Sequence, residues 1–244
     1  MAAFAAGFID AIVGGGGLIQ TPSAIVLLKQ YPVATVIGTL KIPAFSGTFF
    51  ATAQYAKRVS LNYSQLAVMT GIAFMAAFGG SKLLTMVSND FMKPLLLVVL
   101  IVVAIYTFLN KNFGNHTAKS HTVKKEWLYA ALISLVIGFY DGFIGPGAGS
   151  FLVLSFITLL GYDFLRASAH AKFVNLATNL GSIVFFAASG KIIYTIAIPM
   201  AVCNGVGGFL GARLALLKGN AFIRIFFLVV VTGTIIRFAY DVFK

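Results

Sequence analysis

Apolar runs about 20 residues long follow one another along nearly the whole chain, each closed by a short polar or Gly/Pro break. As helix, a run of that length crosses a hydrocarbon core of roughly 30 Å. Breaks at Tyr31-Pro32, Asn62, Asn89-Asp90, Gly190-Lys191 and Gly219-Asn220 carry turn chemistry. They mark out hydrophobic elements at 2–28, 33–56, 63–87 and 91–109, and again at 126–160, 166–189, 194–217 and 221–243. The pattern predicts an all-α, polytopic membrane protein; alternating ten-residue strands of an outer-membrane barrel are absent.

The halves repeat. Asp141 lies 131 positions after Asp10, and the same offset carries Tyr31 to Tyr162, Lys41 to Lys172, Tyr63 to Tyr194, and "GSKL" at 80–83 to "GARL" at 211–214. The expected organisation is two tandem homologous repeats of about four hydrophobic elements each, residues 1–110 and 127–244, joined by a polar linker at 111–126. Transporters built from repeats place substrate at the repeat interface. Simple crossings throughout would make the repeats parallel. They would put Lys57, Arg58, the linker lysines, Lys191 and Lys244 on one side, and Lys29, Arg166 and Lys218 on the other. By the positive-inside rule the linker and both termini would then be cytoplasmic. A re-entrant turn at the glycine motifs would instead make the count odd and invert the repeats.

Composition sharpens this picture. Hydrophobic residues make up 59% and charged residues 10%, with a mean hydropathy of +0.96; a soluble domain would have about a quarter of its residues charged. The net charge of +12 belongs to cytoplasmic loops and functional cations rather than to a nucleic-acid surface. The single cysteine, Cys203, excludes a disulfide framework within the chain. The opening "MAAFAAGFID" has no basic region of a cleavable signal peptide, and the short first helix reads as one that begins mid-membrane or is trimmed at its start. No cofactor motif is present, and neither is a P-loop.

Two stretches carry the candidate chemistry: "GFIDAIVGGGG" (7–17) and "GFYDGFIGPGAG" (138–149). Each glycine costs a helix about 1 kcal/mol against alanine, and Pro146 removes a donor, so both helices should break there. Broken backbone within a membrane is tolerated only where protein buries it or a wet cavity is lined. The helices that restart would offer free N–H groups and a positive dipole end, the physical basis of an anion site. Gly14, Gly15, Gly16 and Gly17 in the first motif, and Gly145 and Gly147 in the second, are the candidate backbone donors. Asp10 and Asp141 need partners at that depth, since an unpaired charge there costs at least about 2.5 kcal/mol. Lys41 and Lys172 are the cations to hand, either as architectural partners or as groups that meet substrate. His170, Asn175 and Asn179 are expected to approach one helix face near Lys172. Lys82 and Arg213 read as snorkelling residues, Lys93 and Arg224 as interfacial anchors, and Arg237 and Asp241 as a pair four residues apart.

With "GTLKIPAFSGT" (38–48) and "AHAKFVNLATNLGSIVFF" (169–186), these motifs resemble the sulfite exporter TauE/SafE family of bacterial membrane permeases, over essentially the whole chain. The resemblance implies transport of small sulfur-containing anions (sulfite, thiosulfate or organosulfonates) across the inner membrane by a multi-pass protein. It supports Asp10, Gly14–Gly17, Lys41, Asp141, Gly145, Gly147, His170, Lys172, Asn175 and Asn179 as motif positions. Leu40 is a departure, standing where many relatives carry asparagine, and it weakens any symmetric site. The resemblance implies a small anion and the lipid bilayer as partners, leaves room for a homo-oligomer, and involves no nucleic acid. An anion channel of the same fold is the nearer rival. A membrane-embedded enzyme fits less well, because Ser150 lies outside a GxSG context and His116 and His121 fall in the linker.

Overall fold

The structure, a computed structural model, describes residues 1–92, 94, 95, 98 and 123–243, with side chains up to Ile223 and at 225, 226 and 229. Lys93, Arg224, the Arg237/Asp241 pair and the linker histidines lie outside the described residues or side chains. Everything regular among the described residues is helix: α1 (Ala2–Val13), α2 (Gly16–Leu27), α3 (Val33–Ala56), α4 (Tyr63–Met86), α5 (Val123–Phe143), α6 (Ala148–Leu160), α7 (Phe164–Ala188) and α8 (Tyr194–Phe243), and residues 89–92, 94, 95 and 98 are helical as well. A non-helical Gly219 kinks α8, at the break expected there. Helix α5 begins at Val123, so the last residues of the expected linker are helical.

Five of these helices are long and apolar enough to span a membrane: α3, α4, α5, α7 and the first part of α8. Their starts follow local chemistry. Asn62 accepts a hydrogen bond from Gln65 N at the head of α4, and Asp163 accepts from Arg166 N at the head of α7; both are side-chain N-caps. Pro32, at the N-cap of α3, cannot extend a preceding helix.

The two glycine motifs are turns, and the chain doubles back at each. A Cβ on Gly16 would lie 2.7 Å from Asp10 Cβ and within contact of Ala6 O; one straight helix would separate residues 6 and 16 by about 15 Å. At the second motif, Tyr162, just beyond α6, donates a 2.8 Å hydrogen bond to Glu126 at the head of α5. Entry and exit of that hairpin therefore lie at the same end of the bundle. Burial and the Glu126 acceptor hold the Tyr162 hydroxyl protonated, well above the ordinary tyrosine range.

The hairpins enter from opposite ends. Hairpin α5–α6 opens at the end where the α4 head, the α7 head and Asn220 meet, joined by Tyr162 Oη to Gln65 Oε1 (3.3 Å) and Leu165 N to Asn220 Oδ1 (2.7 Å). Hairpin α1–α2 leads into the start of α3 at the other end, where Val33 N donates to Asn89 Oδ1 and Ile193 N to Thr39 Oγ1, both 3.0 Å. This corrects the sidedness expected from simple crossings. Arg166 and Lys218 share an end with Lys57, Arg58, Lys124 and Lys125, whereas Lys191 shares the other with Lys29. In mid-bundle the hairpin tips touch, with Ser150 N donating to Gly14 O at 3.1 Å and Ser150 Oγ to Val13 O at 3.0 Å.

Candidate functional site

Each hairpin turn is made by glycine in the left-handed region: Gly14 at φ 77° and its counterpart Gly145 at φ 93°, where a side chain would be strained. Gly14 N closes the C-terminus of α1 by donating to Asp10 O at 2.8 Å. Each turn leaves one helix ending and another beginning at mid-depth, so carbonyl-rich and N–H-rich ends lie side by side.

The lysines serve the carbonyl-rich ends. Lys41, the ninth residue of α3, donates to the Asp141 carbonyl at 2.7 Å and to Asp141 Oδ1 at 2.9 Å. Lys172, the ninth residue of α7, donates to the Asp10 carbonyl and to Asp10 Oδ2, the latter at 3.0 Å. Each cation thus caps a helix C-terminus, where the dipole favours it, and neutralises the carboxylate in the same turn. The pairing is crosswise: the lysine of either half holds the aspartate of the other.

Between the hairpin tips lies a cavity of about 60 Å³, of the size that holds a few waters. Asp10, Lys41 and Asp141 line it, with Gly14, Gly16, Gly17, Gly145 and Gly147 from the turns and Asn175 and Asn179 from α7. The two Lys–Asp pairs give it a formal charge of zero, counting Lys172 behind Asp10. Gly15 and Lys172 do not line it. Asn179 Nδ2 donates to Asn175 Oδ1 at 2.8 Å, and Thr48 Oγ1 donates to the same oxygen at 3.3 Å; the Asn175 amide is thereby fixed.

His170 does not join the site. Its Nδ1 sits 2.8 Å from Arg166 O and its ring packs 4.8 Å from that of Tyr162, beside Phe156. Five residues along a helix rotate a side chain by about 140°, so His170 turns away from the face that carries Asn175.

Two site residues escape a reading of the sequence. Gln20 of α2 and Asn204 of α8 are buried and line the cavity. Asn204 lies against Gly7 and Gly47, where any side chain would collide with it. Its Nδ2 donates to Gln20 Oε1 at 3.2 Å, which leaves Gln20 Nε2 without a partner among the described residues. An orphaned buried donor is costly, and here it belongs to a residue that lines a cavity flanked by the N-termini of α2 and α6. The only signal in the sequence was an isolated amide in each apolar run.

The chain matches a family model described as sulfite exporter TauE/SafE over residues 1–238. It is 35% identical over 241 residues to a probable membrane transporter protein, ORF9, of Sinorhizobium sp, covering 99% of this chain and 91% of that one. It is 32% identical over 243 residues to the probable membrane transporter protein YfcA of Escherichia coli K12, covering 98% and 87%. A probable membrane transporter protein of Haemophilus influenzae is 33% identical over 221 residues, covering 91% and 85%. No solved structure matches it significantly. With spanning helices, paired hairpins and a polar cavity between their tips, the chain belongs to the sulfite exporter TauE/SafE family, and it is a membrane transporter rather than an enzyme.

Proposed function

We propose that this transporter moves small sulfur-containing anions (sulfite, thiosulfate or short organosulfonates) across the bacterial inner membrane, and that the cavity between the hairpin tips holds them. The observation that carries the reading is a cavity flanked by two helix N-termini and lined by Gln20, whose buried Nε2 has no partner among the described residues. Oxyanions are ligands for such ends. Lys41, Asn175, Asn179, Gly14, Gly16, Gly17, Gly145 and Gly147 complete the wall that the substrate would meet. Lys172 acts from behind Asp10, and Gly15 and His170 serve the architecture.

Residues 1–110 and 127–244 are two inverted repeats in this reading, joined by the linker at 111–126. The opposed hairpins and the crosswise Lys–Asp pairs support it. Alternating access would rock one repeat against the other around the cavity. The end that carries Lys57, Arg58, Lys124, Lys125, Arg166 and Lys218 is cytoplasmic by the positive-inside rule.

Uptake of labelled sulfite, thiosulfate, sulfoacetate and sulfate into proteoliposomes tests the substrate. Saturable uptake with counterflow of one or more sulfur anions is the expected result. Absence of uptake of every one of them overturns the substrate class, and unitary currents would make the protein a channel. Gln20→Leu keeps the volume and removes the free donor, together with the acceptor of Asn204 Nδ2. It should raise the half-saturating concentration about tenfold, the ~1.4 kcal/mol expected of one hydrogen bond to a charged group, with the maximal rate little changed.

A further inference from the structure

The two membrane-embedded carboxylates are not equivalent. Asp141 has a partner at each oxygen: Oδ1 accepts from Lys41, Oδ2 meets the Thr178 hydroxyl, which also reaches the Asn175 carbonyl at 2.9 Å, and its side chain is 5% exposed. Asp10 spends Oδ2 on Lys172, while no described residue donates to Oδ1, and its side chain, 20% exposed, lines the cavity. The difference has a cause in the sequence. The position 131 before Thr178 is Gly47, which has no hydroxyl, and the space beside it is taken by Asn204, whose amide is turned to Gln20.

We propose that Asp10, and not Asp141, is the site of an exchangeable proton carried with the anion, an inference that rests on the reading of the cavity as the anion site. A proton from the aqueous phase adds to the free Oδ1. The Asp10 side chain becomes neutral, while Lys172 keeps its charge and its bond to the Asp10 carbonyl. The cavity wall passes from zero net charge to one positive charge, and a bound monoanion, hydrogensulfite among the proposed substrates, restores zero. Either partner alone would leave an uncompensated charge in a low-dielectric site, which is disfavoured, so proton and anion bind and leave together. When the complex opens to the opposite side, Oδ1 returns the proton to water as the anion departs.

The charged and titratable groups around Asp10 agree with this assignment. Lys172 contacts it from α7, and Lys41 and Asp141 face it across the cavity as a closed pair. Tyr55 of α3 has its hydroxyl committed to the Ala11 carbonyl at 3.2 Å. Neither α2 nor α6 brings a charged side chain to the cavity.

Proteoliposome uptake of the labelled sulfur anions with and without an acid-outside gradient, in wild type, Asp10→Asn and Asp141→Asn, tests the assignment. The gradient should accelerate wild-type uptake several-fold and leave whatever uptake remains in Asp10→Asn unaffected. Whatever rate remains in Asp141→Asn should still respond to the gradient. A gradient response that survives in Asp10→Asn, or one lost only in Asp141→Asn, overturns the proposal. A second arm needs no substrate: infrared difference spectra along an acid titration, carried low enough to force the proton on without an anion, should show a protonated-carboxyl band from a membrane-embedded group in wild type and Asp141→Asn, absent in Asp10→Asn. If that band persists in Asp10→Asn, the proton site is elsewhere. If it behaves as expected while no sulfur anion is transported, the substrate class fails and the proton site stands.

Discussion

Lys172→Met is expected to be among the most damaging single substitutions in this protein, costing about 3–5 kcal/mol, the scale for breaking a buried ion pair by removing one partner. The side chain is 1% exposed and its ammonium meets two acceptors, the carboxylate and the main-chain carbonyl of Asp10. Methionine fills the volume, but it leaves a carboxylate and a negative helix end unanswered at the same point. The converse change, Asp10→Asn, should cost less, because Lys172 keeps the carbonyl and a favourable position at a helix C-terminus. The double variant Asp10→Asn/Lys172→Met should recover most of the lost stability and none of the transport. Thermal unfolding in detergent, followed by the monodispersity of a fluorescently tagged protein, reads the first quantity; proteoliposome uptake reads the second. A double variant as unstable as Lys172→Met would show that the lysine acts through something other than Asp10.

That the pairing runs between halves explains why the site was only partly legible in the sequence. Both aspartates and both lysines stand out there, because charged residues inside long apolar runs need a reason. Which lysine answers which aspartate depends on the direction in which each hairpin enters, and a run such as "GGGG" at 14–17 reads equally well as a kink or as a turn. The spanning elements fared better. Val33–Ala56 is recovered as it stands, and Tyr63–Met86 to within a residue, since Pro32 and Asn62 stop and start helices by local chemistry. His170 shares a stretch of near-helical spacing with Lys172, Asn175 and Asn179 in the sequence, yet helical rotation separates its face from theirs. Gln20 and Asn204 carry little signal in the sequence, because each is one amide among apolar neighbours. Their meeting requires Gly7 and Gly47 on two other helices to leave room.

Gly149→Ala should disable the protein although it adds one methyl group. A Cβ there would fall 2.6 Å from Gly14 O and 2.7 Å from Gly14 Cα, both main-chain atoms that no rotamer change can move. Gly14 cannot yield, since its left-handed φ and its bond from Ser150 N are what turn the first hairpin and hold it against the second. The tips must separate, losing that bond at about 1 kcal/mol on top of an overpacking cost of about 1–3 kcal/mol. The cavity they enclose opens with them, so transport should fall further than stability does. Gly71→Ala supplies the contrast. It lies within α4 with nothing in reach of an added Cβ, and alanine there should be neutral or stabilise by up to about 1 kcal/mol. Thermal midpoints and uptake rates of the two variants, prepared side by side, decide the matter. Equal behaviour would mean that the hairpin tips do not need to touch, and that the cavity is defined by the spanning helices alone.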